Sequence, residues 1–127
     1  MAFKKLNKDK KIILSSNSPR RKQLLQEAGL KFEIRTFPTN EDYPVNLKGR
    51  EISEFLVKKK AISFNKIKKD EIIITADTIV WVQNEHLGKP KDTLEAKIFL
   101  EKISNKKHEV ITSVCFTEKE KQTIISE

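Results

Sequence analysis

The sequence predicts an α/β domain built on a mixed, twisted sheet with flanking helices. Three observations carry that expectation. Apolar runs of strand length alternate with amphipathic runs of helix length, in the order β-α-β-α-β-β-α-β-β. One run, Ile72 to Val82, is long and apolar enough for a central strand covered on both faces. The first strand also passes through a hydroxyl-rich turn, Ser15-Ser16-Asn17-Ser18, directly into a helix. The chain has 127 residues, which is one domain by length and enough to bury a core without staples.

The elements follow in order. Residues 1–10 read as a basic lead-in, and 11–127 as the domain. Lys11 to Ser15 is the first strand. Ser18 is placed to cap the first helix and Pro19 to begin it, where a missing N–H costs nothing. That helix reads to Ala28, with Leu24, Leu25 and Ala28 as its buried stripe and Gly29 as its stop. Phe32 to Phe37 alternates like a strand, and Pro38 to Gly49 is a loop. A second helix reads from Glu51 to Ile67. Lys58, Lys59 and Lys60 surround it at mid-length, so one or two should face inward or toward a cleft. After the central strand, Gln83 to His86 turns into a short strand near Leu87. Asp92 caps a third helix with Glu95 three residues on, and Ala96, Phe99, Leu100 and Ile103 form its core stripe. His108 to Thr117 and Gln122 to Ser126 are the last two strands. The final strand runs to the last residues without a closing helix, so the chain reads as cut short.

Composition narrows the classes. The net charge is +8, carried mostly by scattered lysines, since Arg stands only at positions 20, 21, 35 and 50. A basic chain suits an anionic partner. The lysines form no cluster interleaved with aromatic platforms, which argues against nucleic acid. No apolar run reaches membrane-spanning length, and none near the N-terminus is long enough for a secretory signal. Cys115 stands alone in an apolar run, which reads as a buried inert thiol in a reducing, cytoplasmic compartment.

Several residues carry candidate chemistry. Arg20 and Arg21 lie at the positive end of the first helix, where cations are disfavoured. A bound anion would remove that conflict, and the ordinary alternative is two solvated guanidinium groups. Asp77 lies inside the most apolar stretch of the chain. A carboxylate there needs a partner. That partner is either a structural hydrogen bond or a cation or water at a working site, which makes Asp77 the leading catalytic candidate. Lys89 is fixed between Gly88 and Pro90 more firmly than a surface lysine would be.

The stretch Leu14-Ser15-Ser16-Asn17-Ser18-Pro19-Arg20-Arg21 resembles the opening signature of the Maf family of nucleoside triphosphate pyrophosphatases. The resemblance continues through Asn40-Glu41-Asp42-Tyr43-Pro44, Phe55 to Ala61, Thr75-Ala76-Asp77-Thr78, Gly88-Lys89-Pro90 and Ser104 to Val114. It implies a fold with a central cleft, often homodimeric, that cleaves a nucleoside triphosphate to the monophosphate and pyrophosphate with a divalent metal. It implies Asp77 as proton acceptor, and Thr78 and Arg20 as positions tied to substrate choice, Thr78 on the dTTP/UTP-preferring side. Physical chemistry accommodates these roles. Ser16, Ser18 and the helix N-terminus can cradle phosphate, Arg20 and Arg21 can grip it, and Lys60 and Lys89 can act as point charges. Glu41 and Asp77 offer hard oxygens to Mg²⁺ or Mn²⁺. Asn40 and Ser113 depart from the family pattern, as does the absence of the family's C-terminal segment. A second reading is a catalytically silent nucleotide-binding or regulatory protein, and a third a basic nucleic-acid-binding module.

Overall fold

The structure, a computed structural model, describes residues 10–64, 66–88, 92–104 and 107–127. The expectations for the lead-in before Lys10, for Lys89 and for the Asn105–Lys106 turn lie outside the described residues. The described elements are β1 (Lys11–Ser15), α1 (Pro19–Glu27), β2 (Phe32–Ile34), α2 (Arg50–Ile62), β3 (Glu71–Val82), β4 (Glu85–Leu87), α3 (Thr93–Ile103), β5 (His108–Thr117) and β6 (Gln122–Ser126). They form one mixed sheet in the order β2-β1-β3-β5-β6, with β4 also paired to β3. β1 pairs in parallel with β2 and β3, whereas β3–β5, β5–β6 and β3–β4 are antiparallel. Among the described residues, no helix is long and apolar enough to cross a membrane.

β3 is the axis of the fold. On one edge β5 accompanies it from Ile73 to Val82. On the other edge β1 stops at the Ser15–Thr75 pair, and β4 begins only at the Val80–Leu87 pair. Asp77 and Thr78 lie in that interruption. The β3–β4 turn is tight because Gln83 and Asn84 both take positive φ, at 49° and 60°, the conformation a two-residue hairpin with natural twist requires.

The two faces of the sheet are covered unequally. α2 packs Ile52 and Leu56 on Ile79 and Ile111, and Phe64 packs on Ile13 and Ile73. The other face buries Ile12, Leu14, Ile72 and Ile74 under Leu30 and, less completely, Leu25. Beyond those residues, no described element covers it. This corrects several expectations. Leu24 is 52% exposed and Ala28 is exposed, so the stripe on α1 is half realised. α3 buries none of its residues, and Leu100 is 64% exposed. β3 is covered on both faces only as far as Ala76. Periodicity reports which side of a helix is apolar, not how much of that side finds a partner.

Local signals held better. Ser18 caps α1 by accepting from Arg21 N, and Pro19 opens the helix. Its end is a Schellman motif: Gly29, at φ 78°, donates to Gln26 O, and Leu30 N to Leu25 O. Asp92 caps α3 by accepting from Glu95 N. Two boundaries moved. β2 ends at Ile34 rather than Phe37, and α2 ends at Ile62 rather than Ile67. The cause is shared, because Phe37 leaves the sheet to meet Phe64 edge-on, ring centroids 4.9 Å apart. Phe64 is thereby buried as part of an irregular segment rather than a longer helix.

Candidate active site

The site forms where β1 ends, at the carboxyl end of a parallel strand pair, the usual crevice of an open α/β sheet. Ser16 is buried there, and its Oγ accepts from Ser18 N at 3.1 Å. Ser15 to Ser18, Arg21, Thr36, Phe37, Thr39, Glu41 and Lys60 line a polar pocket of about 410 Å³.

Two cations reach into the interruption on β3 from different helices. Lys60, in the last turn of α2, donates to Ala76 O at 3.1 Å and to Asp77 Oδ1 at 3.2 Å. Arg21, in the first turn of α1, donates from Nη1 to Ser16 Oγ at 3.4 Å and Ala76 O at 3.5 Å, and from Nη2 to Thr78 Oγ1 at 3.2 Å. The Arg21 charge is therefore carried away from the helix terminus onto acceptors of the strand. Arg20 makes no such bonds among the described residues. It borders a separate, largely apolar groove of about 440 Å³ between α1 and the open sheet face, with Leu24, Leu25, Ile74 and Val114.

Asp77 is the electrostatic centre. Its side chain is 12% exposed, and Oδ2 is buried without a hydrogen-bond partner among the described residues. Burial pushes its carboxyl above the ordinary carboxylate range, since leaving water disfavours the charge. The Lys60 ammonium opposes that shift, the Glu41 carboxylate adds to it, and Arg21 opposes it weakly. A buried group with one oxygen held by a cation and the other free is suited to exchange a proton or to take a metal.

Glu41 is exposed on the loop between β2 and α2, and that loop is strapped to α2. Lys59 donates to Asp42 O at 2.8 Å and to Asn40 Oδ1 at 3.5 Å. Asn40 Oδ1 also accepts from Asp42 N at 2.6 Å. Thr39 Oγ1 meets Ser63 Oγ at 3.2 Å, and Tyr43 OH meets His86 Nδ1 at 2.9 Å. Neighbouring lysines thus divide the work, Lys60 on the strand and Lys59 on the loop, while Lys58 is exposed. Sequence reasoning identified Lys60 but gave Lys59 no role. Adjacency on a helix was the only signal available, because the loop it ties is 17 residues away.

A donor set for a divalent cation is partly present. Among the described residues, no three His, Cys, Asp or Glu side chains converge as a cage. Glu41 and Asp77 nevertheless act on one another electrostatically, and Asp77 keeps an unpartnered oxygen. One or two carboxylates, completed by water and substrate phosphates, are what Mg²⁺ ordinarily takes from a protein. The residues present fit such an ion.

Ser113, opposite Asp77 in the β3–β5 register, belongs to a chain of hydroxyls. Its fully buried Oγ lies 2.7 Å from both Ser53 Oγ and Ser126 Oγ, and Ser126 Oγ donates to Glu54. The hydroxyl chain joins α2, β5 and β6 beneath the site.

A profile of the Maf family, described as "Maf-like protein", matches residues 11–127. The chain belongs to the Maf family. It is 48% identical over 118 residues to a protein of Flavobacterium psychrophilum named dTTP/UTP pyrophosphatase, covering 92% of this chain and 60% of that protein. It is 51% identical over 107 residues to a protein of the same name in Flavobacterium johnsoniae, covering 84% of this chain and 55% of that one. This Maf chain thus spans about 60% of the length of the curated relatives it matches. In fold it resembles the Ham1 protein of Staphylococcus aureus, with TM-score 0.59 and 14% identity over 92% of this chain and 68% of that one. The HAM1 protein of Coxiella burnetii is also similar, with TM-score 0.54 and 13% identity. These two show the architecture alone.

Of the residues singled out in the sequence, Ser16, Ser18, Arg21, Glu41 and Lys60 line one pocket in this Maf fold, and Asp77 is bonded to Lys60 beside it. Thr78, bonded to Arg21, lines the neighbouring groove together with Arg20, and Ser18 and Arg21 border both.

Proposed function

We propose that this chain carries the active site of a cytoplasmic nucleoside triphosphate pyrophosphatase acting on dTTP and UTP. The observation that supports it most is Asp77, buried beside Lys60 with Oδ2 unpartnered, at the mouth of the serine turn and the α1 N-terminus. The relatives named for dTTP/UTP pyrophosphatase activity support the choice of substrate.

The chemistry follows from charge placement. Hydrolysis between the α- and β-phosphates needs a water aimed at the α-phosphorus and compensation of dense negative charge. Ser16, Ser18 and the helix N-terminus receive phosphate oxygens, and Lys60 and Arg21 supply positive charge beside them. Water oxygen bonds to the α-phosphorus, the bond from that phosphorus to the bridging oxygen breaks, and pyrophosphate leaves with the electron pair. The proton from the water passes to Asp77, whose raised affinity for protons suits it to the task. Glu41 and Asp77 would hold a divalent cation, Mg²⁺ or Mn²⁺, whose positive charge stabilises the phosphate oxygens when it is bound.

Pyrophosphate release from dTTP, UTP and CTP with Mg²⁺ or Mn²⁺ tests the proposal. Release from dTTP and UTP is expected, and absence of release from every nucleotide sinks it. The second reading is nucleotide binding without turnover. Calorimetric binding without pyrophosphate release would establish it.

A further inference from the structure

Residues 35–49 join β2 to α2 without a strand or helix. A connection of that length inside a compact fold is more often functional than passive. Thr39 meets Ser63 on one side of Glu41, and Tyr43 meets His86 on the other. The Glu41 carboxylate itself makes no hydrogen bond or ion pair among the described residues. Its direction is therefore set by the backbone that carries it.

That backbone is gripped by one side chain. Asn40 Oδ1 accepts from Asp42 N at 2.6 Å, which closes an Asx turn with Glu41 at its apex. The Lys59 ammonium donates to Asp42 O at 2.8 Å and to Asn40 Oδ1 at 3.5 Å. It thus binds the residue before Glu41 and the residue after it. Lys60 leaves α2 about 100° further round the helix. It bonds Asp77. Consecutive lysines on one helix therefore reach the two segments that carry the two carboxylates. Glu41 and Lys60 line the same polar pocket, and Glu41 and Asp77 feel one another's charge.

We infer that Lys59 is a positioning residue for the divalent cation: through the Asn40–Asp42 turn it holds the Glu41 carboxylate where the cation also reaches Asp77. The inference rests on the pyrophosphatase reading above and concerns how that site is assembled. The charge of Lys59 works against the role, because an ammonium near a cation repels it. Its contribution is one of geometry, the kind supplied by the outer partners of a ligating carboxylate. Lys58 provides the internal comparison. It carries the same charge one position away, is exposed, and makes no bond to the loop among the described residues.

Titration with Mn²⁺ alone, followed by electron paramagnetic resonance and calorimetry, separates geometry from charge by sign. Loss of a repelling charge tightens cation binding, whereas loss of a positioning contact weakens it. Lys58→Met is expected to bind Mn²⁺ at least as tightly as the parent. Lys59→Met is expected to bind it about tenfold more weakly. In a Glu41→Gln background, Lys59→Met should weaken binding no further, since the carboxylate it places is gone. Unchanged or tighter binding in Lys59→Met would overturn the inference. So would an equal loss in Lys58→Met, or a loss of the same size that persists in the Glu41→Gln background. Absence of Mn²⁺ binding by the parent would overturn it as well. Pyrophosphate release by the parent, assayed alongside, decides whether the wider reading falls too: release leaves the pyrophosphatase standing, and no release removes both.

Discussion

Adjacent residues of β3 look onto two differently built halves of the molecule. On the α2 side, Ile73, Thr75 and Ile79 are sealed, and Ser113 and Cys115 of β5 are fully buried beside them. Thr75 Oγ1 donates to Val57 O at 2.8 Å, so even the hydroxyl on that side is satisfied within the core. On the α1 side, cover ends at Ala76, Thr78 is exposed, and Val110 is 59% exposed. Asp77 points to the sealed half and Thr78 to the open one. Dehydration on the first side raises the proton affinity of a carboxylate, while on the second a threonine and its main chain stay within reach of solute. One strand thereby places a dehydrated carboxyl beside a solvent-exposed threonine, and the period of two does the sorting.

Substitutions should separate the two faces by size of effect. Ile79→Ala removes a side chain wedged between α2 and β5 and is expected to cost about 2–5 kcal/mol, read from urea unfolding. An unchanged midpoint would mean that face is not the core. Lys60→Met strips Asp77 of its cation and should cost about 1.5–3 kcal/mol, the range for a hydrogen bond to a charged group. It should also raise the Asp77 pKa further, since the largest opposing influence disappears. A titration of the carboxyl by NMR that moves downward would contradict this. Ser113→Ala breaks the buried hydroxyl chain and should cost about 1–2 kcal/mol, with Ser53 and Ser126 keeping their outer partners. On the open face, Val110→Thr is expected to stay within about 0.5 kcal/mol of the parent. A larger loss would show that this face is covered in solution.

Much of this was legible in the sequence where the determinant is local. The caps at Ser18 and Asp92, the Gly29 stop and the alternation along β5 each depend on a few neighbouring residues, and each reads as expected. Asp77 was conspicuous because a carboxylate in an apolar strand is costly without a reason. What was not legible depends on distant partners. Leu24 and Leu100 are apolar at helical spacing, yet exposed, because no other described element covers them. Arg21 rather than Arg20 reaches β3, a choice that two adjacent arginines in the sequence do not reveal. The strap from Lys59 to the Glu41 loop joins segments with no sequence signal between them.

The account depends above all on Asp77 as a buried proton acceptor. The decisive measurement is the pH profile of pyrophosphate release from UTP, with thermal unfolding followed alongside, in the parent and in Asp77→Asn. Asp77 must be ionised to accept a proton, so release should rise with pH through a midpoint above the ordinary carboxylate range. Asp77→Asn should lose about 10²–10⁴-fold in rate. The stability sign is opposite. A carboxyl whose folded pKa is raised holds its proton more tightly when folded, so parental stability should fall as pH rises from the unfolded to the folded pKa. Asp77→Asn should lack that decline and be the more stable protein at neutral pH. A variant that still releases pyrophosphate at the parental rate, or a parent whose stability is flat across that window, would contradict the account.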